Sequence, residues 1–183
     1  MTKRYNLSQA IRSIAWGYVL LHLHFNLGRL DILPDWLGLV LILKALPDLT
    51  EQCPSAGLLR PFAMGLAIWE GIQWLFFLFG AALDLGFLDI IGSIVALYFR
   101  FQLMTEIAHA AQAHNCPHER KLLILRNVDA VFITLFALPI PWARVEALSL
   151  LLIVIEVCVT FWICGTLFSL ARYMLDHPEC ERN

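Results

Sequence analysis

Residues 145–170 read VEALSLLLIVIEVCVTFWICGTLFSL, and this run decides the class of fold. It contains two charged side chains, Glu146 and Glu156, and it is longer than the ~20 apolar residues that cross a bilayer as a helix. Over the whole chain 60% of the residues are hydrophobic and 15% are charged, against about 45–50% and roughly 25% in soluble domains. A water-soluble fold would have too few polar residues to cover its surface, so the composition predicts an integral membrane protein.

The chain contains further runs of this kind. The predicted spanning segments lie near 7–27, 34–46, 61–83, 88–100, 122–140 and 145–170. The short stretches between alternate segments join them as helical hairpins. The sequence therefore predicts an all-α, polytopic integral membrane protein, with about six transmembrane helices as three hairpins in a single transmembrane domain, 1–183.

The distribution of basic residues predicts an orientation. If the N-terminus is inside and each helix crosses once, all of the 13 basic residues except Arg29 and Arg144 lie on the cytoplasmic side. This is the bias that the positive-inside rule describes. The predicted location is the cell membrane, multi-pass, with both termini cytoplasmic. The net charge of -2 gives no reason to expect a nucleic-acid partner.

An internal repeat is a further hypothesis, with copies at 11–51 and 65–106. The matched pairs, at a spacing of 54 residues, are Gly17 with Gly71, Asp35 with Asp89, and Gly38 with Gly92. A duplicated helix pair keeps its orientation, so the copies would be related by an axis along the membrane normal. Apolar sequences also match by chance, and duplication and coincidence stay equal alternatives.

Polar side chains inside the apolar runs are the candidates for substrate binding or ion coupling, because such groups are costly at membrane depth. Glu70 and Glu156 each stand in an apolar segment, and Gln73 follows Glu70 by about one turn. His22 and Asn26 share one face of the first helix, since residues four apart are helical neighbours. The alternative role for all five is structural, as paired acids or as interhelical hydrogen bonds.

Four acidic residues near the predicted outer turns form a second set, namely Asp31, Asp35, Asp84 and Asp89. Asp31 and Asp35 lie near the start of the second helix, and Asp89 is the repeat counterpart of Asp35. One interpretation is an acidic mouth that attracts a cation or a cationic substrate. The other is helix capping, because the helix dipole favours a carboxylate at an N-terminus.

The segment 101–120 is predicted to continue the fourth helix as an amphipathic extension, with Leu103, Ile107 and Ala111 opposite Glu106 and His109. Its polar residues also form a loose metal-ligand set. The metal candidates are His109, His114, Cys116 and His118. Their spacing matches no structural zinc pattern, and ordinary polar loop residues are the alternative. No cofactor is predicted.

Two packing expectations complete the chain. Asp129 is expected to pair with Arg126, three residues before it. Gly165 and Ser169 have the small-xxx-small spacing that is typical of close helix packing in membranes.

The stretch NLGRLDILPDWLG, residues 26–38, resembles a hairpin of uncharacterised small multi-span membrane proteins of Gram-positive bacteria. That family has no established activity, so the resemblance implies no site residues. In size and topology the chain is also similar to the six-helix substrate-binding subunits of energy-coupling-factor vitamin transporters. Their small-residue coupling motif on the first helix is not clear here, although Ala10, Ser13, Ala15 and Gly17 are small.

The favoured function is a transporter or membrane substrate-binding subunit for a small solute or ion. The expected partners are the lipid bilayer, a small-molecule or cation ligand, and a protein partner or a second copy of the chain. The alternative is a non-catalytic accessory or interaction protein that works through 101–120 and the C-terminal tail. An intramembrane enzyme using His22 or Glu70 is a third hypothesis, although no G-x-S-x-G or H-E-x-x-H motif occurs.

Overall fold

The computed structural model describes residues 2–22, 26–27, 30–31, 35–80, 86–138 and 146–176. The helices are α1 Thr2–His22, α2 Asp35–Thr50, a 3-10 turn at Pro54–Leu58, α3 Leu59–Leu78, α4 Phe87–Ala113, α5 Glu119–Ala137 and α6 Glu146–Asp176. Two-residue strands, β1 Asn26–Leu27 and β2 Leu30–Asp31, form one antiparallel pair between α1 and α2. The predicted all-helical class is confirmed, and α4 does continue past the predicted membrane exit, as far as Ala113.

The helices pack in the order of the chain. Each one lies against its neighbours in sequence, and α6 returns to pack on α1, which closes the bundle. The 3-10 turn packs against α2, α3 and α4. Ser8 near the start of α1 donates its hydroxyl to the carbonyl of Ala171 near the end of α6, at 2.7 Å. The N-terminus of α1 and the C-terminus of α6 therefore meet at one end of the bundle.

The tightest helix crossing is between α1 and α2, where two glycines meet. A Cβ atom on Gly17 would lie 2.6 Å from Ile42 Cγ1, and one on Gly38 would lie 2.6 Å from the Gly17 carbonyl oxygen. Small residues allow this backbone approach. At Gly165 an added Cβ would meet no described atom within 4 Å. The predicted close seam at Gly165 and Ser169 is therefore wrong, and the glycine contact is in α1 and α2 instead.

The buried core occupies one half of the bundle. It takes in α1, α2, the first turns of α3 and the C-terminal halves of α4 and α6. In the other half, large apolar side chains remain exposed, among them Phe79 at 86%, Phe87 at 72% and Leu150 at 64%. An apolar surface of this extent needs a cover other than water. A bilayer would supply that cover.

Among the residues that the structure describes, three helices are long and apolar enough to cross a membrane, namely Pro54–Leu78, Phe87–Ala113 and Ala147–Asp176. The prediction of six spans is not supported by length and composition. The helix α2 has 16 residues, and α1 contains Gln9, Arg12 and His22. The helix α5 is continuous, but Arg126 and Asp129 interrupt its apolar sequence. The apolar runs of the sequence indicated helices correctly, but not that each helix crosses the membrane.

The internal repeat stays a prediction. The glycines of the first proposed copy touch each other, as described above. In the second copy, a Cβ atom on Gly71 would lie 3.9 Å from Cγ of Trp36, and one on Gly92 would lie 3.3 Å from Nε1 of Trp69. The matched glycines therefore contact backbone in one copy and tryptophan side chains in the other.

Candidate functional site

The helices α1 and α4 are joined by a polar contact between His22 and Arg100. Nε2 of His22 lies 3.1 Å from Nη1 of Arg100, and Nδ1 of His22 lies 2.9 Å from the Tyr18 carbonyl oxygen. A guanidinium only donates, so Nε2 must accept, and Nδ1 must carry the proton that goes to the carbonyl. The hydrogen bonds therefore assign a neutral His22 with the proton on Nδ1.

Tyr18 fixes this pair from the α1 side. Its side chain is completely buried, and its ring stacks on the imidazole of His22 with centroids 5.7 Å apart. Its hydroxyl donates to the carbonyl oxygen of Arg100 at 3.5 Å. The orientation of His22 and the backbone at Arg100 are thus set by one aromatic side chain.

A cavity of about 270 Å³ opens beside this pair, between α1, α4 and α6. Its polar and charged lining comes from His22, Arg100, Glu156 and Thr160. The rest is apolar apart from Cys164, and comprises Val19, Leu21, Ile153, Val157 and Phe161. A mostly apolar pocket with a few convergent polar groups is the usual form of a small-molecule site. We call it the solute cavity.

Arg100 also lines a smaller cavity of about 40 Å³. Asp35 of α2, Glu70 of α3 and Arg100 of α4 supply its charged lining. A space of this size holds a water molecule or a single small ion. Leu21 and Arg100 line both cavities, so the two cavities are neighbours in the bundle.

Asp129 of α5 belongs to the same polar cluster. It is 4% exposed, and it lies within electrostatic range of Arg100 and Glu156. The predicted pair with Arg126 is wrong. Arg126 instead donates to Thr105 Oγ1 at 2.9 Å, and its guanidinium lies over the ring of Phe101, 4.1 Å from the centroid.

Four of the predicted site residues therefore converge on one arginine. His22 and Glu156 line the solute cavity, and Asp35 and Glu70 line the smaller one, with Arg100 common to both. Arg100 and Asp129 are members of this site that no sequence pattern singled out. Arg100 stands at the predicted membrane exit of the fourth helix, and α4 continues for 13 residues beyond it, from Phe101 to Ala113. The apolar residues on both sides of Arg100 were the signal that could have placed it within the bundle.

Other predicted site residues lie elsewhere. Gln73 donates Nε2 to Oδ1 of Asp89 at 3.2 Å, which ties α3 to the first turn of α4. Neither residue lines the two cavities. Asn26 and Asp31 are backbone partners in the strand pair, and their side chains lie outside the part that the structure describes. Asp84 also lies outside the described residues, and the acidic mouth stays a prediction.

The metal candidates do not come together. Cys116 and His114 are buried, whereas His109 is exposed on α4. Within the described ranges, no group of three or more His, Cys, Asp or Glu side chains is placed to hold a metal ion. The ring of His118 packs edge-on against Tyr173. Burial, reinforced by the charge of Lys121, lowers the pKa of His118 below its usual range.

The extension of α4 buries its predicted apolar side chains, but it also buries one residue that was predicted on the polar side. Leu103, Ile107 and Ala111 are buried as expected, but Glu106 is buried as well, at 1% exposure. Its carboxylate accepts a hydrogen bond from Ser55 Oγ at 2.6 Å and another from Gln102 Nε2 at 2.7 Å. The placement of Glu106 on a solvated face is therefore wrong. The apolar side of this segment packs inside the protein.

Comparison with known proteins adds no relative. No protein-family model, no curated protein and no solved structure matches this chain. The candidate site therefore depends on its own geometry, and the resemblance of the hairpin at 26–38 stays an expectation.

Proposed function

We propose that this chain is a polytopic membrane protein that binds a small solute inside its helix bundle, as a transporter or as the substrate-binding subunit of one. The observation that carries the proposal is the convergence of His22, Asp35, Glu70 and Glu156 on Arg100, beside a cavity of about 270 Å³. Charged groups inside apolar helices are costly and usually serve a substrate or ion path. The cavity is near the lower limit of small-molecule sites, which fits a small solute.

In this proposal α3, α4 and α6 cross the cell membrane, and α5 leads from the end of α4 back across to the start of α6, so that the number of crossings is even. The helices α1 and α2 complete the bundle around the cluster. Exposed basic residues lie at the end of the bundle where the start of α1 meets the end of α6. They include Arg60 at the start of α3, Arg120 and Lys121 at the start of α5, and Arg172 near the end of α6. The positive-inside rule then assigns this end, together with both termini, to the cytoplasm.

The proposal is tested with purified protein in proteoliposomes. A panel of radiolabelled sugars, organic acids, amines, amino acids and nucleosides is scored for uptake and for retention on the protein. We expect one class to be taken up or retained, and Glu156→Gln or Glu70→Gln to reduce that signal at least about tenfold, the loss expected for a charge-assisted hydrogen bond.

The matched control is Asp176→Asn. It removes a carboxylate from α6 as Glu156→Gln does, but Asp176 is exposed and makes only a 4.0 Å surface pair with Arg172. Such pairs contribute little, so this variant should behave as the wild type. Wild-type uptake and retention in both Glu70→Gln and Glu156→Gln, or no signal from any class, would overturn the proposal.

The alternative, an accessory protein that docks a partner through 101–120, loses part of its basis. That alternative needs an apolar face available to a partner. The apolar side chains of this segment, Leu103, Ile107 and Ala111, are each 0% exposed in the bundle. The binding function is therefore the one that the geometry favours.

A further inference from the structure

The outer face of α1 carries a cation between two aromatic side chains. Tyr5 and Trp16 are 54% and 51% exposed, and Arg12, which is also exposed, lies between them in sequence. Spacings of seven and four residues place the three side chains on one face of the helix. Tyrosine and tryptophan are enriched where a membrane meets water, with their rings at the level of the lipid headgroups. This face of α1 therefore has the composition of a surface that meets headgroups.

The same face of α1 borders on α6, and two contacts fix how the helices align. The Ser8 hydroxyl donates to the carbonyl oxygen of Ala171 at 2.7 Å. The ring of Trp16 packs edge-on against Phe168, with centroids 5.6 Å apart. Arg12 follows Ser8 by about one turn and precedes Trp16 by about one turn. Arg12 therefore stands between the two contacts that join α1 to α6, and we call this line of contact the α1–α6 seam.

The helix α6 brings a second arginine to the same part of the seam. Arg172 comes directly after Ala171 and about one turn after Phe168, and its side chain is 85% exposed. Its ionic partner within the described ranges is Asp176, whose carboxylate lies 4.0 Å from Nε. An exposed pair of this kind contributes little, and it leaves the two terminal nitrogens of the guanidinium for another anion. The seam therefore presents two guanidinium groups at one level.

Two adjacent guanidinium groups match the chemistry of a phosphate. Arginine binds phosphate oxygens through paired N–H donors, and a negative phosphate relieves the repulsion between the two cations. The proposed orientation places Arg12 and Arg172 at the cytoplasmic end of the bundle. Basic residues at that surface attract anionic lipids. A zwitterionic headgroup would bring its own cation against the two arginines and gain less.

The apolar surface beside the arginines favours a lipid over free phosphate. Phe161 and Phe168 share a face of α6 with Arg172, at spacings of seven and four residues, and Phe161 is 57% exposed. Between the two rings, a Cβ atom on Gly165 would meet no described atom within 4 Å, so there is room along the helix. Burial of apolar area stabilises a complex only when the ligand has an apolar part. An acyl chain has such a part, and inorganic phosphate has none.

We infer that the α1–α6 seam binds an anionic phospholipid of the cytoplasmic leaflet, its phosphate on Arg12 and Arg172 and an acyl chain along Phe168 and Phe161. This inference goes beyond the proposed function, because the two arginines lie on the outside of the bundle and are not among the groups around Arg100.

The test is a lipid titration of detergent-purified full-length protein, followed by native mass spectrometry. Dioleoylphosphatidylglycerol is the anionic probe. Dioleoylphosphatidylcholine has the same chains and a zwitterionic headgroup. We expect the protein to retain phosphatidylglycerol at least about tenfold more tightly, from two arginines at the surface. Excess inorganic phosphate should not displace it, because phosphate has no chain.

Variants locate the site. Arg12→Gln and Arg172→Gln should each lower the affinity for phosphatidylglycerol about fivefold and leave that for phosphatidylcholine unchanged. The matched control is Arg60→Gln, which removes the same charge from the exposed start of α3 and should change neither affinity. Asp176→Asn removes the carboxylate beside Arg172, so the affinity for phosphatidylglycerol should be equal or higher. Unchanged thermal unfolding midpoints show that these surface variants are folded.

Four outcomes would overturn the inference. Equal affinities for the two lipids would remove the role of charge, and an equal loss in Arg60→Gln and Arg12→Gln would assign the attraction to the overall charge of this end. A lower affinity in Asp176→Asn would contradict a phosphate on Arg172. Displacement by inorganic phosphate would assign the arginines to a free anion. The titration uses no solute, so its failure leaves the proposed function to the uptake experiment.

Discussion

Glu106 and Arg100 show two ways in which a charged side chain can be held inside the bundle. Glu106 accepts hydrogen bonds from Ser55 and Gln102 and is shut off from solvent. Arg100 has one hydrogen-bond partner for its guanidinium within the described chain and lines two cavities. The first arrangement is typical of a structural role and the second of a ligand site.

The first prediction concerns the stability that Glu106 provides. Glu106→Ala leaves the Ser55 hydroxyl and the Gln102 amide without their buried acceptor, so the free energy of unfolding should fall by about 1–3 kcal/mol. Thermal unfolding in detergent measures the loss. Ser55→Ala should add little to Glu106→Ala, since the partner is already gone. Fully additive effects would contradict the hydrogen bond as the source of the stability.

The second prediction concerns His118 and pH. Its pKa is lowered by burial and by Lys121, and its buried Nδ1 has no hydrogen-bond partner among the described atoms. The unfolded chain therefore binds a proton at about pH 6.5, before the folded protein does. The stability from a neutral His118 is complete above that pH and is lost as the pH falls toward the lowered value.

Unfolding midpoints in detergent at several pH values between about 7.5 and 5 test this prediction. His118→Phe keeps a ring against Tyr173 and removes the proton, so it should flatten the decline. His109→Gln, on the exposed face of α4, should leave the decline unchanged. An equal decline in His118→Phe and the wild type would assign the pH dependence to other groups.

Single residues could be predicted from sequence only where they contrast with their neighbours. Glu70, Glu156 and His22 stand out in apolar runs, and the structure places them around one arginine. Asp129 was assigned to Arg126 because that partner is close in sequence. Its actual electrostatic partners, Arg100 and Glu156, come from two other helices, and no local pattern carries that information.

At the scale of the elements, the contact of α1 with α2 depends on Gly17 and Gly38. Gly17→Ala and Gly38→Ala would each place a Cβ 2.6 Å from a neighbouring atom. We predict that each lowers the free energy of unfolding by about 1–3 kcal/mol, as overpacking does. Gly65→Ala and Gly165→Ala, where a Cβ meets no described atom within 4 Å, should be neutral or stabilising by about 0.4–1 kcal/mol. Equal effects at all four positions in detergent unfolding would contradict the close crossing.

The existence of the helices could be predicted from the sequence, but their depth in the membrane could not. Apolar runs mark helices because a helix satisfies its own backbone hydrogen bonds. By length and charge alone, α2 with its 16 residues is too short for a span. The helix α5 is too highly charged, because its 19 residues include Glu119, Arg120, Lys121, Arg126 and Asp129. The apolar residues of these helices face other helices, as Ile42 and Leu125 do. The high hydropathy of the two segments therefore indicates burial inside the protein and not contact with lipid.

At the scale of the molecule, the packed half and the half with an exposed apolar surface predict different tolerance to charge. Leu151 and Leu175 both lie on α6 and are 55% and 50% exposed. Leu151→Arg places a charge in the apolar half, at a cost of about 2.5–3.5 kcal/mol near the bilayer centre. Leu175→Arg lies at the basic end and should be tolerated. Comparable amounts of both variants in carbonate-washed membranes would contradict the assignment of the exposed half to lipid.

The proposed orientation gives a further prediction. With the five native cysteines replaced, Phe79→Cys at the end of α3 and Ala113→Cys at the end of α4 provide one exposed thiol each. An impermeant maleimide should label Phe79→Cys in intact cells and Ala113→Cys only after the membrane is opened, because the basic end is cytoplasmic. The reverse labelling pattern would contradict the proposed orientation and place the basic end outside the cell.

The shortness of α2 has a consequence for the lipid around the protein. Its 16 residues extend about 24 Å as a helix, and the hydrocarbon core of a bilayer is about 30 Å thick. In the proposed arrangement α2 packs against other helices without crossing, so the side of the bundle that it forms ends before the outer surface of the bilayer. Water would then lie nearer to Asp35 at the first turn of α2 than to the middle of α6. The path past the N-terminus of α2 is then the shortest route between the aqueous phase and Arg100. Thicker, sterol-rich bilayers should lengthen that route and slow the exchange of solute.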